Sequence, residues 1–178
     1  MFYLFESVFV GIYTIFIYLF CYFLFSIFSV FSINNIYFHN SIPFFSFSFS
    51  FFLFIVGFIK HFLAYYFSLH SLYCNWGEAC KKEHKREKHS STYISTNNTL
   101  LLESIIEGFI FVILGNIFIR LSHFLYQYQQ KENKELKDNL LPTKNIIGLF
   151  FIIGVVLHIG AEWLGIHSLF CNQNCVFL

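Results

Sequence analysis

Four runs of mostly apolar residues decide what this chain can become: roughly Leu4–Phe31, Phe51–Tyr73, Leu100–Leu125 and Ile146–Phe170. Each has the ~20 residues that carry a helix across ~30 Å of hydrocarbon at ~1.5 Å per residue. No water is available there, so each run must satisfy its own backbone, which predicts helices. Composition agrees. Of 178 residues, 57% are hydrophobic and 28 are Phe, while 12% are charged, against about 25% in an ordinary soluble domain. A soluble protein of this length cannot bury so much apolar surface.

The first run starts at Phe2 without a basic lead. It is too long for a signal-peptide core and lacks a small-residue cleavage site, so it is expected to remain as a span. The stretch FFSFSFSFF, Phe44–Phe52, alternates with period two, but an isolated strand cannot exist in lipid. It is expected to lead into the second helix or to lie at the interface. Pro43 and Pro142 precede the second and fourth spans, where proline is tolerated near a helix start. The charges gather in Lys81–Lys88 and Lys131–Lys144 and read as solvated loops, including KKEHKREKH. Formal net charge is +1, which gives no reason to expect nucleic acid.

Four spans place the 75–99 loop and both termini on one side, side A, and the 32–50 and 126–145 loops on side B. Side A carries Lys81, Lys82, Lys85, Arg86 and Lys88; side B carries Arg120, Lys131, Lys134, Lys137 and Lys144. Five cations against five leave the positive-inside rule without an answer.

The sequence also overlays itself at an offset of 97 residues without a gap. Glu6-Ser7 falls on Glu103-Ser104, Gly11 on Gly108, Gly57 on Gly154 and His61 on His158. His70-Ser71-Leu72 falls on His167-Ser168-Leu169, and Cys74-Asn75 on Cys171-Asn172. Over Phe54–Asn75, ten of 22 positions are identical, where unrelated segments would share roughly two. A taste for Phe and Ile does not match His, Cys, Glu and Gly at one offset. The expected architecture is an all-α, four-helix transmembrane bundle built from a tandem-duplicated helical hairpin. Residues 1–80 form the first unit, 81–97 a charged linker and 98–178 the second. An even number of spans per unit makes the copies parallel, related by a pseudo-two-fold axis along the membrane normal.

The bundle centre is expected to be lined by Glu6, His61, His70, Glu103, Glu107, His158, Glu162 and His167. Counted inward from Cys74 and Cys171, they form a sparse ladder through the bilayer, with Lys60, Asn116 and Arg120 alongside. A charge at such depth costs about 2.5–3.5 kcal/mol on insertion scales, so these groups should face the bundle and pair. Glu103/Glu107 and His158/Glu162 are each four apart and share a face. His61 and His70 are nine apart, about half a turn out of phase, and are expected to meet different neighbours. Three roles compete. One is a transition-metal site, with Glu103, Glu107, Glu162, His158 and His167 as ligands, or a bis-His haem between His61 and His158. The second is a proton or ion path. The third, and favoured, is interhelical hydrogen bonding that fixes packing.

Cys74 and Cys80 lie beyond the second span, Cys171 and Cys175 beyond the fourth. If side A is oxidising, two disulfides are expected, with Cys74–Cys80 and Cys171–Cys175 as the local choice. Reduced structural thiols and a zinc site made of all four cysteines are rivals, although the spacing is not that of zinc knuckles. A quinone-linked thiol oxidoreductase would need a reactive CxxC, which the sequence lacks. Cys21, within the first span, reads as packing. Asn97-Asn98-Thr99 matches a glycosylation sequon but lies close against the third span.

GFIKHFLAYYFSLHSLYC, with ESVFVGIYT near the N-terminus, resembles small multi-pass membrane proteins encoded by large DNA viruses. The resemblance covers mainly the first hairpin and the end of the last helix. It implies an endomembrane or virion inner-membrane location, and no catalytic residues carry over from it. The expected function is that of a non-enzymatic component that stabilises or organises a membrane. The alternatives are a small channel, transporter or metal/haem-binding protein using the His/Glu groups, or a thiol-redox protein. Lipid is the expected partner, with further copies of the chain or other membrane proteins as protein partners.

Overall fold

The apolar runs do form helices. A computed structural model describes residues 2–27, 47–83, 91–93, 96–132 and 143–177. In chain order these make α1 (Phe2–Ile27), α2 (Phe47–Tyr66), α3 (Leu69–Trp76), α4 (Glu78–Glu83), β1 (Ser91–Tyr93), α5 (Asn97–Glu132), α6 (Thr143–Trp163), α7 (Ile166–Asn174) and β2 (Cys175–Phe177). Segments of α1, α2, α5 and α6 are long and apolar enough to cross a membrane: Leu4–Ile27, Phe49–Tyr66, Asn98–Ser122 and Ile146–Trp163. The alternating Phe/Ser stretch is helical from Phe47 onward. Pro43, Pro142, Lys85, Arg86, Lys88, Lys134 and Lys137 lie outside the described residues. The segment 81–97, read as a linker, contributes Ser91–Tyr93 to a two-stranded antiparallel ribbon in which Tyr93 faces Cys175.

Sequence-adjacent helices are not the main packing partners. α1 packs chiefly on α6 and α2 chiefly on α5, while α1 touches α2 only lightly, as α5 does α6. Small residues explain the choice. Along α1, Ser7, Gly11, Thr14, Tyr18 and Cys21 are buried at steps of four and three, while Leu4, Phe5, Phe9, Ile12 and Phe16 face outward. Small side chains on one face let two backbones approach, which is how helices associate when lipid is as apolar as leucine. Ser104, Gly108, Phe111 and Gly115, 97 residues beyond Ser7, Gly11, Thr14 and Tyr18, are also buried. The same holds for Leu149, Phe150, Ile153 and Gly154, 97 residues beyond the buried Phe52, Leu53, Val56 and Gly57.

Gly57 marks the tightest demand. A Cβ there would lie 2.8 Å from Phe111 and 2.9 Å from the Glu107 carbonyl oxygen on α5. Gly57→Val should therefore push α2 off α5 and destabilise by about 1–3 kcal/mol. Gly160→Ala, which enters open space, should be neutral or stabilising by up to about 1 kcal/mol. Thermal unfolding of the detergent-solubilised chain reads both.

The side-B half of the interior is apolar. Ile17, Tyr18, Cys21, Phe52, Leu53, Val56, Phe111, Ile119, Leu149, Phe150 and Ile153 form one buried cluster. Tyr18 stacks on Phe150 with ring centroids 4.2 Å apart. Free Cys21 is fully buried among them.

At the other end the second and fourth spans break, where unbroken helices to Tyr73 and Phe170 were expected. Ser68 takes a left-handed conformation with φ 56°, and Gly165 one with φ 71°. Such a residue ends a helix because it turns the next amides out of line. Glycine adopts it freely, whereas a residue with a Cβ does so at about 1–2 kcal/mol. α3 and α7 restart at once beyond the breaks. Together with α4 and the ribbon they form a cap over the side-A end of the bundle.

Candidate functional site

Beneath this cap lie two clusters of carboxylates and imidazoles. In the first, His61 on α2 stands between two glutamates of α5. Its Nδ1 is 2.8 Å from Glu107 Oε2 and its Nε2 is 3.2 Å from Glu103 Oε2. Carboxylates can only accept, and an imidazole donates from both nitrogens only as the cation. Lys60 donates to the other oxygen of Glu107 in a largely buried ion pair. Glu103 also accepts from the Tyr93 hydroxyl at 3.2 Å and from Asn174 Nδ2 at 3.4 Å. Two cations thus meet two carboxylates, so the charges balance within the protein.

The second cluster joins α1 to α6 and α7. Glu6 Oε1 accepts from the Glu78 amide at 3.0 Å, and Glu6 Oε2 lies 3.4 Å from His158 Nε2. The latter contact is close, but both atoms lack a hydrogen-bond partner of acceptable geometry. His167 Nδ1 donates to Glu162 Oε2 at 3.0 Å. Tyr73 lies beside both imidazoles, with ring centroids 5.1 Å from His167 and 6.1 Å from His158.

The left-handed breaks correct the expectation that His61 and His70 meet different neighbours. The helix breaks at Ser68, and the two rings come together with centroids 4.7 Å apart. His158 and His167 meet in the same way at 4.6 Å, across Gly165. Rings in direct contact leave no room for a porphyrin between them. His61 and His158 are committed to different clusters rather than facing one another. Toward side B the described interior holds the apolar cluster around Phe111 and Phe150. There, Asn116 reaches only the Val112 carbonyl at 2.7 Å and Ser50 at 3.3 Å.

Outside the spans, burial holds His70 down at about 4, with the cationic neighbour His61 adding to the effect. Burial likewise lowers His167, against the opposing pull of Glu162. Burial raises the Tyr73 phenol, and nearby Glu6 raises it further.

The disulfides join the two halves. Cys74 bonds Cys175 and Cys80 bonds Cys171, across sequence separations of 101 and 91. The local pairing Cys74–Cys80 and Cys171–Cys175 is therefore corrected. Its reason is the cap itself: α7 packs on α4 and the ribbon carries Cys175 to Tyr93, so each sulfur meets the other half. All four cysteines are buried with Ala79 and Tyr93, against Tyr65, Tyr73 and Phe170. Among the described residues, Cys80, Cys171 and Cys175 place their sulfurs within 4.8 Å of one another, and no His/Glu set is gathered as closely.

Four contributors escaped the sequence reading: Lys60 as the Glu107 partner, and Tyr73, Tyr93 and Asn174. A signal for Lys60 did exist. Position 60 is Lys where position 157 is Leu, and position 107 is Glu where position 10 is Val. Two charges of opposite sign that break the internal match together point to a contact. Compared with known proteins, the chain matches no family model, no curated protein and no solved structure.

Proposed function

We propose that the chain is a multi-pass membrane protein acting as a structural component, built from two copies of one hairpin locked together at a single membrane face. The observation that carries this is the filled interior. Lys60 and His61 pair with Glu107 and Glu103 under the cap, and an apolar cluster occupies the other half of the bundle. Among the described residues that interior offers no polar route from side to side, which weighs against a channel or proton path. The sulfurs are buried as completely as core side chains, with Cys80 1% and Cys171 0% exposed, which weighs against exchange with a partner thiol. Two disulfides at one end support an oxidising compartment on side A. This supplies the orientation that the lysine count does not, and it agrees with the endomembrane or virion-membrane location that the resemblance implies.

Two measurements test the reading. Reconstituted into liposomes, the wild type should show the proton leak of protein-free vesicles, and His61→Ala/His158→Ala should leave it unchanged. A wild-type flux that the substitutions abolish would replace the structural role with a relay. In intact membrane vesicles whose lumen is the oxidising side, a membrane-impermeant phosphine should fail to reduce Cys74–Cys175. Reduction should follow only after permeabilisation. Reduction from the outside would reverse the orientation.

A further inference from the structure

We propose that Glu6, His158 and His167 form a site for one divalent first-row transition ion, of the zinc, iron or manganese class, with Glu162 orienting His167. This goes beyond the structural role and does not depend on it. Two imidazoles and one carboxylate are a donor set such ions favour. The same trio recurs 97 residues away as Glu103, His61 and His70, with the carboxylate again supplied by one half and the imidazoles by the other. Neighbouring positions did not keep their chemistry: Val10 matches Glu107, Leu157 matches Lys60, and Tyr65 matches Glu162.

Unpartnered atoms point the same way. Among the described residues, the buried side-chain atoms without a hydrogen bond are Glu6 Oε2, His158 Nε2, His70 Nδ1 and Tyr73 Oη. Three of them belong to the two trios, and Tyr73 borders the second. His158 is only 6% exposed, so water does not readily compensate its free nitrogen. A buried polar atom left alone is costly and calls for an explanation, an ion being one.

One pair of donors in the second trio already has the spacing an ion sets. Glu6 Oε2 and His158 Nε2 are 3.4 Å apart, and two donors each ~2.1 Å from a tetrahedral ion are separated by ~3.4 Å. His167 Nδ1 donates to Glu162 Oε2 at 3.0 Å, which leaves the lone pair on Nε2 of the neutral ring for an ion. A carboxylate behind a ligating histidine commonly fixes its tautomer and aim in this way. The three donor atoms do not all lie within 4.8 Å of one another, so the ion would draw His167, with Glu162 still behind it, toward Glu6 and His158.

The first trio is closed to an ion by its own chain. Both nitrogens of His61 are taken by Glu103 and Glu107, and the Lys60 ammonium stands where a second cation would be repelled. One ion per chain is therefore expected.

The test uses the full chain in detergent, unreduced so that the sulfurs stay in disulfides, stripped with chelator and titrated with Co²⁺. The wild type should take up one Co²⁺ per chain, with the visible bands of a low-symmetry nitrogen–oxygen site. Glu6→Gln, His158→Ala and His167→Ala should each lower uptake at least tenfold, while His61→Ala keeps it. Lys60→Leu/Glu107→Val, which gives the first trio the surroundings of the second, should raise uptake to two. The proposal is overturned if the wild type binds no more Co²⁺ than the Glu6→Gln/His158→Ala/His167→Ala variant. It is equally overturned if uptake depends on His61 and not on His158.

Discussion

Lys60→Leu should lower the unfolding free energy by about 3–5 kcal/mol, the loss typical when one partner of a buried ion pair is removed. The side chains of Lys60 and Glu107 are only 11% and 17% exposed, so water cannot take over the abandoned carboxylate. His61 then remains its one cationic partner. Glu107→Val should be comparably harmful, since it strands Lys60. Combining the two should recover most of the loss, because Leu157 and Val10 fill the corresponding positions of the other half. Thermal unfolding in detergent of the wild type, both single variants and the double variant closes the cycle. A loss below about 1 kcal/mol for Lys60→Leu, the range of exposed pairs, would show that Lys60 does not neutralise Glu107 in the folded protein.

Removing one cap disulfide as a pair, Cys74→Ala/Cys175→Ala, should cost about 2–5 kcal/mol, because the cross-link closes a loop on the order of 100 residues. The upper end needs an unfolded chain free in water, and spans retained in lipid shift the expectation downward. Losing the second bond as well should cost less than the first, since each already ties the same two halves together. The pairing has its own check. No Lys or Arg lies between Cys74 and Cys80 or between Cys171 and Cys175. An unreduced tryptic digest should therefore yield one cross-linked species containing residues from around Cys74 and from around Cys171. Two separate, internally bridged peptides would restore the local pairing and undo the cap described above.

The spans were legible because ~20 apolar residues in a row leave few alternatives to a helix. Their ends were not. Hydropathy does not register a left-handed residue, and Ser68 lacks even the glycine that flags Gly165. That one turn changed the site, bringing His70 onto His61 where straight-helix counting separated them. The eight ionisable residues could be named from the sequence, but their partition into two clusters could not, since it depends on α1 choosing α6 and α2 choosing α5. Small residues at Gly11, Gly57, Gly108 and Gly154 held that information, as places where a Cβ would collide with the opposite helix. The cysteines were recognised as a set and mispaired because proximity in sequence was taken for proximity in space. The cap that reverses this depends on a three-residue ribbon too short to carry a pattern of its own.

Glu6 finds His158, and Glu103 finds His61, each across the boundary between the halves. Neither half can complete such a contact alone. On the proposed duplication, a free ancestral hairpin would have had to bind another copy of itself, and its two interfaces would have been identical by symmetry. Fusion into one polypeptide removes that constraint. Each interface can then specialise separately, one becoming a self-sufficient clasp through Lys60 and Glu107 while the other, on the proposed site, keeps its imidazoles for an ion.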